Sequence, residues 1–522
     1  MSEPHSRAGV SAGDEGAHQD LVPSELGDGD GRSPGLDMIL EEVDSVTDPV
    51  TESVSMAPAV GIAVAGGPMI TLPEEEPAPG SELERKGDTV RSGLTQAGPV
   101  AIAGMVVNAA GALVVVAVAR LVTPRQYGEI AQLLGLFFIV SLPGSAVLVG
   151  VVRRVTALQA SGQGQLVKRW VTRVHRLVLL ALAVEVIIVF ALQGVIARWL
   201  SLGNSQGVFL ILVAAGIWIL LCVDRGLLQA HRSYMALAGN LLIEGGVRTV
   251  FVIALVVAGA EVRGYAFGVF VGEVVATVQA RWLASRAWAD PTKVPVKLLG
   301  PDGQADSILA RRRLILDVSA AFVGLSLLGL LQNVDVILLG ALDHSNVGPY
   351  AAISVASKAL VFGALALGAY LLPEATIRWN EGGHAVRQLG VTLIFLAVPA
   401  ALLLLIAEFV PKQFLTLIFS AKLSAGAPAF ATLVVAMMFL SFSVLVTNYL
   451  FGTGSRWIVF LLLGGSALAV GLVAAAGGNI VATARADLIA QAALAIAMGT
   501  AFVVIHRRHR GSRWLRDPAH AD

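Results

Sequence analysis

The chain has 522 residues, of which 56% are hydrophobic and only 14% charged, with 55 glycines besides. Soluble domains run at about 25% charged, so a water-facing shell around this much apolar sequence is excluded and the chain belongs in a bilayer. Its formal net charge of 0 conceals a division near residue 92: about 19 Asp and Glu against 5 Lys and Arg precede it, and about 18 against 32 come after, which joins an acidic tail to a basic membrane body.

Residues 1–92 are rich in Glu, Asp, Gly, Ser and Pro and hold too little apolar surface to offset chain entropy, which predicts disorder. Within them, Val54 to Leu72 is mostly apolar, but Pro58, Gly61, Gly66, Gly67 and Pro68 interrupt it. It barely reaches spanning length, so contact with the membrane surface is expected there rather than a crossing. Met1 to Asp20 is polar throughout, without the basic and apolar regions of a signal peptide.

From Gly98 onward, apolar runs of about 20 residues alternate with short polar breaks, the length that crosses about 30 Å of hydrocarbon as helix. Twelve runs are predicted, near 98–119, 129–150, 175–197, 207–228, 236–259, 264–285, 314–341, 348–372, 388–410, 427–451, 457–476 and 481–505. The expected class is therefore an all-α integral membrane protein. An even number of spans puts both termini on one side. With the N-terminus cytoplasmic, inner loops and tail carry about 26 Lys and Arg against about 7 outside, a positive-inside bias that places both ends in the cytoplasm.

The loop over 286–313 contains Pro291, Pro295 and Pro301 and divides the spans into six and six, over 93–285 and 314–505, with a basic tail at 506–522. A weak internal repeat supports duplication: Leu121-x6-Gly128-Glu129-Ile130-Ala131 joins spans one and two, and Leu342-x5-Gly348-Pro349-Tyr350-Ala351 joins spans seven and eight. Two parallel halves of this kind are expected to enclose a central cavity suited to alternating access.

Ionisable residues in mid-span cost at least about 2.5–3.5 kcal/mol, so each needs a partner, a wet cavity or a function. Glu244 and Arg248 lie four apart in span five and can pair, either as packing or as a cavity wall. Lys358 is about ten residues into span eight with no carboxylate three or four residues away, so it should point into a cavity or meet Asp335 of span seven. Glu185 in span three and Glu273 in span six read as lone acids, either proton-titrating and coupled to an ion or hydrogen-bonded in protonated form. Asn108, Gln332, Asn333 and Asn448 fit interhelical hydrogen bonds or ligand contacts.

Soluble chemistry is missing from the sequence. It carries no GxxxxGK[ST] loop and no HExxH, and its one cysteine, Cys222, allows neither an intrachain disulfide nor a cysteine-rich metal site. No metal or cofactor is therefore expected. The basic loops read as orientation signals and contacts with anionic membrane lipid rather than nucleic-acid surfaces.

The hairpin Ala119-Arg120-Leu121-Val122-Thr123-Pro124-Arg125-Gln126-Tyr127-Gly128 resembles the signature AR-hydrophobic-x-x-P-x-x-YG of the multidrug/oligosaccharidyl-lipid/polysaccharide (MOP) flippase superfamily, in its polysaccharide branch. Gly144, Arg153 and Arg154 fit the same pattern, and Asn333-Val334-Asp335, Val347-Gly348-x-Tyr350 and Pro373-Glu374 are similar to the second-half run of that family. The resemblance covers about residues 95 to 505; the acidic tail has no counterpart in it. It implies a flippase, not an enzyme, that carries an undecaprenyl-pyrophosphate-linked oligosaccharide across a bacterial inner membrane for cell-surface polysaccharide, and it admits polysaccharide-assembly proteins as partners. In that setting basic cavity residues hold the pyrophosphate, a role that fits Lys358 and Arg248, with Glu244, Asp335, Asn333 and Asn108 as further cavity candidates. Two other readings stay open: a cation-coupled drug exporter of the same fold, to which Glu185, Glu244 and Glu273 point, and a membrane glycosyltransferase or polymerase, which the short outer loops disfavour. A segment without a core can be removed without unfolding the rest of the chain. Deletion of residues 1 to 90 should leave membrane insertion intact, as judged by the yield of monodisperse protein from membranes, and loss of insertion would contradict the tail reading.

Overall fold

The computed structural model describes residues 82–160, 163–203, 205–287, 306–380, 386–452 and 455–514. The expectations for Val54 to Leu72 and for most of the 286–313 loop lie outside them. Every regular element among the described residues is helical. In order they are α1 (Glu82–Leu121), α2 (Pro124–Ser141), α3 (Gly144–Ala160), α4 (Gly164–Trp199), α5 (Ser205–Ala230), α6 (Tyr234–Leu255) and α7 (Glu261–Ala287). After the central loop come α8 (Asp306–Leu342), α9 (Val347–Asn380), α10 (Val386–Phe409), the short α11 (Pro411–Ile418), α12 (Ala427–Gly452), α13 (Ile458–Ala475) and α14 (Ile480–Trp514). α1 begins before residue 92 and α8 before residue 313, so helix extends into both flanking stretches in which the sequence predicts none.

Among the described residues, eleven helical stretches are long and apolar enough to cross a membrane, and one of them, Tyr234–Arg286, is 53 residues long. At 1.5 Å per residue it would measure about 80 Å, against about 30 Å of hydrocarbon, so it cannot cross once. It reverses at a π-helical turn, Val256–Ala260, where Gly259 has φ 84° and Glu261 φ 48°. Glycine adopts that left-handed conformation without the Cβ clash other residues meet. α6 and α7 then pack against each other along their length, so the chain is a multi-pass membrane protein whose described residues make twelve crossings, the number the hydropathy predicts for residues 98–505.

The first half assembles around α5 and α7, with α1 on α6 and α4 on the outside of α5. The second assembles around α9, α12 and α14, with α13 between α8 and α14. α4 and α10 are peripheral: Leu180, Ile187, Phe190, Ile394, Phe395 and Val398 all face outward. In water such a belt would drive aggregation, and in a bilayer it is the lipid contact.

The halves meet through α2 against α8 and α9, and α3 against α8. Two turns close one end of this seam. Thr123 caps α2 in a capping box with Gln126, followed by Pro124 at the first helical position. The facing turn is ordered by Asp343, which accepts from Ser345 N at 2.9 Å, Ser345 Oγ at 2.6 Å and Asn346 Nδ2 at 2.8 Å. The Ser345 hydroxyl holds the Asp343 carboxyl below its ordinary range. Between the turns the backbones touch: a Cβ on Gly348 would overlap the Pro124 carbonyl oxygen, and one on Gly128 would overlap Val347. Arg120 donates across the same end to the Leu417 carbonyl in the last turn of α11, where a cation meets the negative end of a helix.

Overpacking of a backbone contact costs about 1–3 kcal/mol. Gly348→Val should therefore lower the thermal midpoint of the purified protein measurably. Gly390→Ala, at a position with open space around it, should not, and equal midpoints for the two would show that the turns are not in contact.

Candidate functional site: a cationic cavity between the halves

A cavity of about 920 Å³ lies between the halves. It runs from Phe414 and Phe419, beside the closed end, to Val100, Gln229 and Tyr234 toward the other. α1 contributes Val107, Asn108 and Gly111 to one flank, and α9 and α10 contribute Phe362, Leu396, Pro399 and Leu402 to the opposite flank. Among the described residues α1 is not packed along α9 as α2 is along α8, so that side of the cavity shows no helix seam like the one that closes the other. Most of the wall is apolar, and the charged residues lining it, among the described residues, are Arg225, Glu244, Arg248 and Lys358.

On the first half's wall, Arg225 of α5 is fixed from three directions. Its Nη2 donates to Glu244 Oε2 at 2.6 Å, its Nε to Asn240 Oδ1 at 2.7 Å, and its guanidinium lies 5.1 Å from the centre of the Trp218 ring. Asn240 is held in turn by donating to the Ala276 carbonyl at 2.8 Å and to Gln279 Oε1 at 2.9 Å, both on α7. Arg248, one turn beyond Glu244 on α6, donates to Glu244 Oε1 at 3.1 Å and lies 3.7 Å from Glu273 of α7. The four charges thus alternate in sign across three helices: Arg225, Glu244, Arg248, Glu273. Arg248 keeps 27% of its side chain exposed, while the two carboxylates are buried. The cations face the cavity and Glu273 stands behind them.

The second half repeats the principle with one cation. Lys358 Nζ of α9 lies 3.4 Å from Asn333 Oδ1 and 3.5 Å from Asp335 Oδ1 on α8. Asp335 is fully buried and also accepts from Tyr350 Oη at 3.1 Å and Ser354 Oγ at 3.2 Å. Asn333 donates to the Gly329 carbonyl at 2.9 Å. Behind Asp335, on α14, Asp487 is buried and accepts from Gln491 Nε2 at 3.1 Å.

The structure thus brings Lys358, Arg248, Glu244, Asn333 and Asn108 to the cavity wall and sets Asp335 behind it. Lys358 lines the cavity and also lies within ion-pair distance of Asp335. Glu273 is not a lone acid, because Arg248 is within ion-pair distance. Glu185 lies elsewhere: half-exposed on peripheral α4, it leans over Gly216 of α5 and does not line the cavity. Sequence reasoning misses Arg225, which reads as a charge at the end of span four. Its signal is the one Lys358 gives, a cation inside an apolar helix with no acid three or four residues away to neutralise it.

Near the end of α5 away from the closed turns, a separate cluster joins three helices: Asp224 lies 3.5 Å from His175 Nε2 of α4 and 3.3 Å from Arg281 of α7. It ties the first half together and does not reach the cavity.

Removing one partner of a buried pair costs about 3–5 kcal/mol because the other charge is left uncompensated. Lys358→Ala should lower the thermal midpoint, and adding Asp335→Asn should restore much of it, since the amide is neutral. A double variant as unstable as the single one would mean that the two residues do not compensate each other.

No protein-family model matches the sequence, and no curated protein matches it either. Solved structures do. An inward-facing multidrug resistance MATE family transporter of the MOP superfamily is 14% identical, with 76% of this chain and 95% of that one covered, at a TM-score of 0.57. The lipid II flippase MurJ in its inward closed conformation is 12% identical over 77% of this chain and 86% of that one, at 0.59. A MOP superfamily transporter from Pyrococcus furiosus, described by the reverse polarity of its binding pocket, is 16% identical over 76% and 90%, at 0.50. Likeness at this level of identity speaks for architecture alone: the chain has the fold of the MOP superfamily transporters.

Proposed function

We propose that the chain is a MOP superfamily transporter that moves an amphipathic anion across the membrane, and specifically a flippase for a lipid-linked, pyrophosphate-bearing oligosaccharide used in cell-surface polysaccharide assembly. The observation that carries this reading is the sign of the cavity wall: among the described residues it presents three cations, Arg225, Arg248 and Lys358, against one carboxylate, Glu244, with the balancing acids set behind. A pyrophosphate leaving water needs cations that a dry cavity must supply, and charge-assisted contacts with guanidinium groups are the strong ones. The apolar flank between α1 and α9–α10 suits an acyl or prenyl chain, which can remain in lipid while the polar head occupies the cavity. A cavity of about 920 Å³ is of the size that holds a ligand of a few rings.

On this reading the head enters from the end opposite the touching turns, engages Lys358 on one half and Arg248 on the other, and leaves after the Gly128–Gly348 contact has opened. Loop charges orient that entry end to the cytoplasm of a bacterial inner membrane. Because the pyrophosphate is anionic, a membrane potential negative inside assists its outward passage.

The competing reading is a drug exporter for organic cations. It is disfavoured by the same count of charges, since a cationic ligand would meet three like charges and one acid. Reconstitution distinguishes them. In proteoliposomes, the protein should accelerate translocation of a fluorescent polyprenyl-diphosphate oligosaccharide. Lys358→Ala should cut that rate by about tenfold or more, and Lys358→Arg should retain part of it. Movement of ethidium but not of the diphosphate lipid would overturn the flippase reading in favour of the exporter.

A further inference from the structure

Beyond the closed end lies a second, open hollow of about 730 Å³ that the substrate reading leaves unused. Arg120, in the last turn of α1, lines it from the first half. Lys412, Gln413 and Thr416 of α11, with Ser420 just past that helix, line it from the second. Both charges are positive, both side chains are exposed, and no carboxylate lines the hollow among the described residues. Neither cation has an acid within ion-pair distance among those residues, whereas Arg125, five positions after Arg120, has Glu129 at 3.3 Å. Phe419 lines the hollow and the central cavity alike; it is buried, and its ring lies 6.2 Å from that of Tyr127. At that point one aromatic side chain separates the two spaces.

The chemistry of the hollow suits a phosphate. Arg120 donates from Nη2 to the Leu417 carbonyl, a neutral acceptor, and its remaining N–H groups can serve a charged one. Bonds between a guanidinium and phosphate oxygens are roughly twice as strong as neutral ones, and the two shapes match. Lys412 adds a point charge, and Gln413, Thr416 and Ser420 add uncharged donors and acceptors of the kind that phosphate esters and sugars take. The two cations also stand on opposite sides of the seam that has to part, so an anion leaving between the touching turns passes between them. Release is the step that a wall of three cations makes slow, because an ion leaves a strong site readily only when a further site lies close by.

We propose that this hollow is a receiving site for the diphosphate group of the departing substrate, held between Arg120 and Lys412. The inference rests on the anionic-substrate reading and gives that substrate a second station beyond the Phe419 layer. Leu417, 71% exposed on the rim, offers an apolar edge to a ligand whose chain remains in lipid. With two cations rather than three and an open mouth, the site holds the anion less firmly than the central wall does, so it passes the ligand on instead of retaining it.

The test uses the full-length protein in phosphatidylcholine nanodiscs, which leave both faces open, with inorganic pyrophosphate titrated calorimetrically. The unmodified protein should bind two pyrophosphates, the weaker of them in the hollow. Lys412→Glu, a change at an exposed position, should abolish the weaker site and leave affinity at the cavity within about twofold, since distant sites are independent. Lys412→Arg should keep both sites, and Lys358→Ala should weaken the tighter one. In the proteoliposome assay Lys412→Glu should also slow translocation of the diphosphate lipid by about threefold or more. A count that Lys412→Glu does not change overturns the proposal, as does an unchanged translocation rate. Should Lys412→Glu prove unstable, Lys412→Gln takes its place, with the weaker site expected to lose about fivefold in affinity; no loss overturns the proposal. Disappearance of the weaker site when phosphatidylglycerol is added to the nanodiscs would assign the hollow to a phospholipid headgroup and overturn the receiving role. Failure of every protein to bind pyrophosphate is a separate result, since it removes the anionic-substrate reading and this inference with it.

Discussion

An ion inside hydrocarbon must bring its counter-ion with it, and that requirement arranges the interior of this protein. Arg225 has Glu244, Arg248 has Glu244 and Glu273, and Lys358 has Asp335. Glu273 and Asp335 are buried more deeply than the cations they serve. The order matters for function. A wall that shows cations to a cavity and keeps their anions behind has a positive face without being a net positive body, so it can be built at tolerable cost and still attract an anion.

The partners come from different helices, which ties charge pairing to helix packing. Arg225, Glu244 and Glu273 lie on α5, α6 and α7, and these three helices pack closely partly because Gly272 and Gly268 let α7 approach α6 at Arg248 and Val252. Each half therefore behaves as a unit whose buried charges would be exposed or unpaired if its helices separated. The weaker joint lies between the halves. There the contacts at the closed end are backbone on backbone at Gly128 and Gly348, with the Arg120 to Leu417 bond beside them, and none of the ion pairs that hold the cavity wall crosses it. On the proposed transport function, alternating access would use this division between two halves and a separable joint.

The helices are legible in the sequence because a span is a length of apolar residues, and length survives without any knowledge of packing. Even the reversal after Leu255 shows in the hydropathy as two runs rather than one. The Glu244 and Arg248 pair is legible for the same local reason, being four apart on one helix. What the sequence does not contain is the neighbour across a helix interface. Glu185 and Glu273 look alike in the sequence, each one acid in an apolar run. Packing then places Glu273 against Arg248 on a central helix and Glu185 over Gly216 on a peripheral one. Lys358 stands between the two cases, because Asp335 lies on the adjacent span and proximity is foreseeable, while the added donors Tyr350 and Ser354 are not.

The reversal at Val256–Ala260 bears on how the protein enters the membrane. α6 and α7 are joined by five residues with no polar loop between them, too short a link for one helix to settle in lipid while the other waits outside. They are bound to partition as a hairpin. Arg248 would cost about 2.5–3.5 kcal/mol alone at mid-bilayer, but in the hairpin it arrives with Glu244 on its own helix and Glu273 on the next. The turn thus makes neutralisation of the first half's central charges a local event in biogenesis, completed between neighbours in the chain before α8 and the later helices have been synthesised.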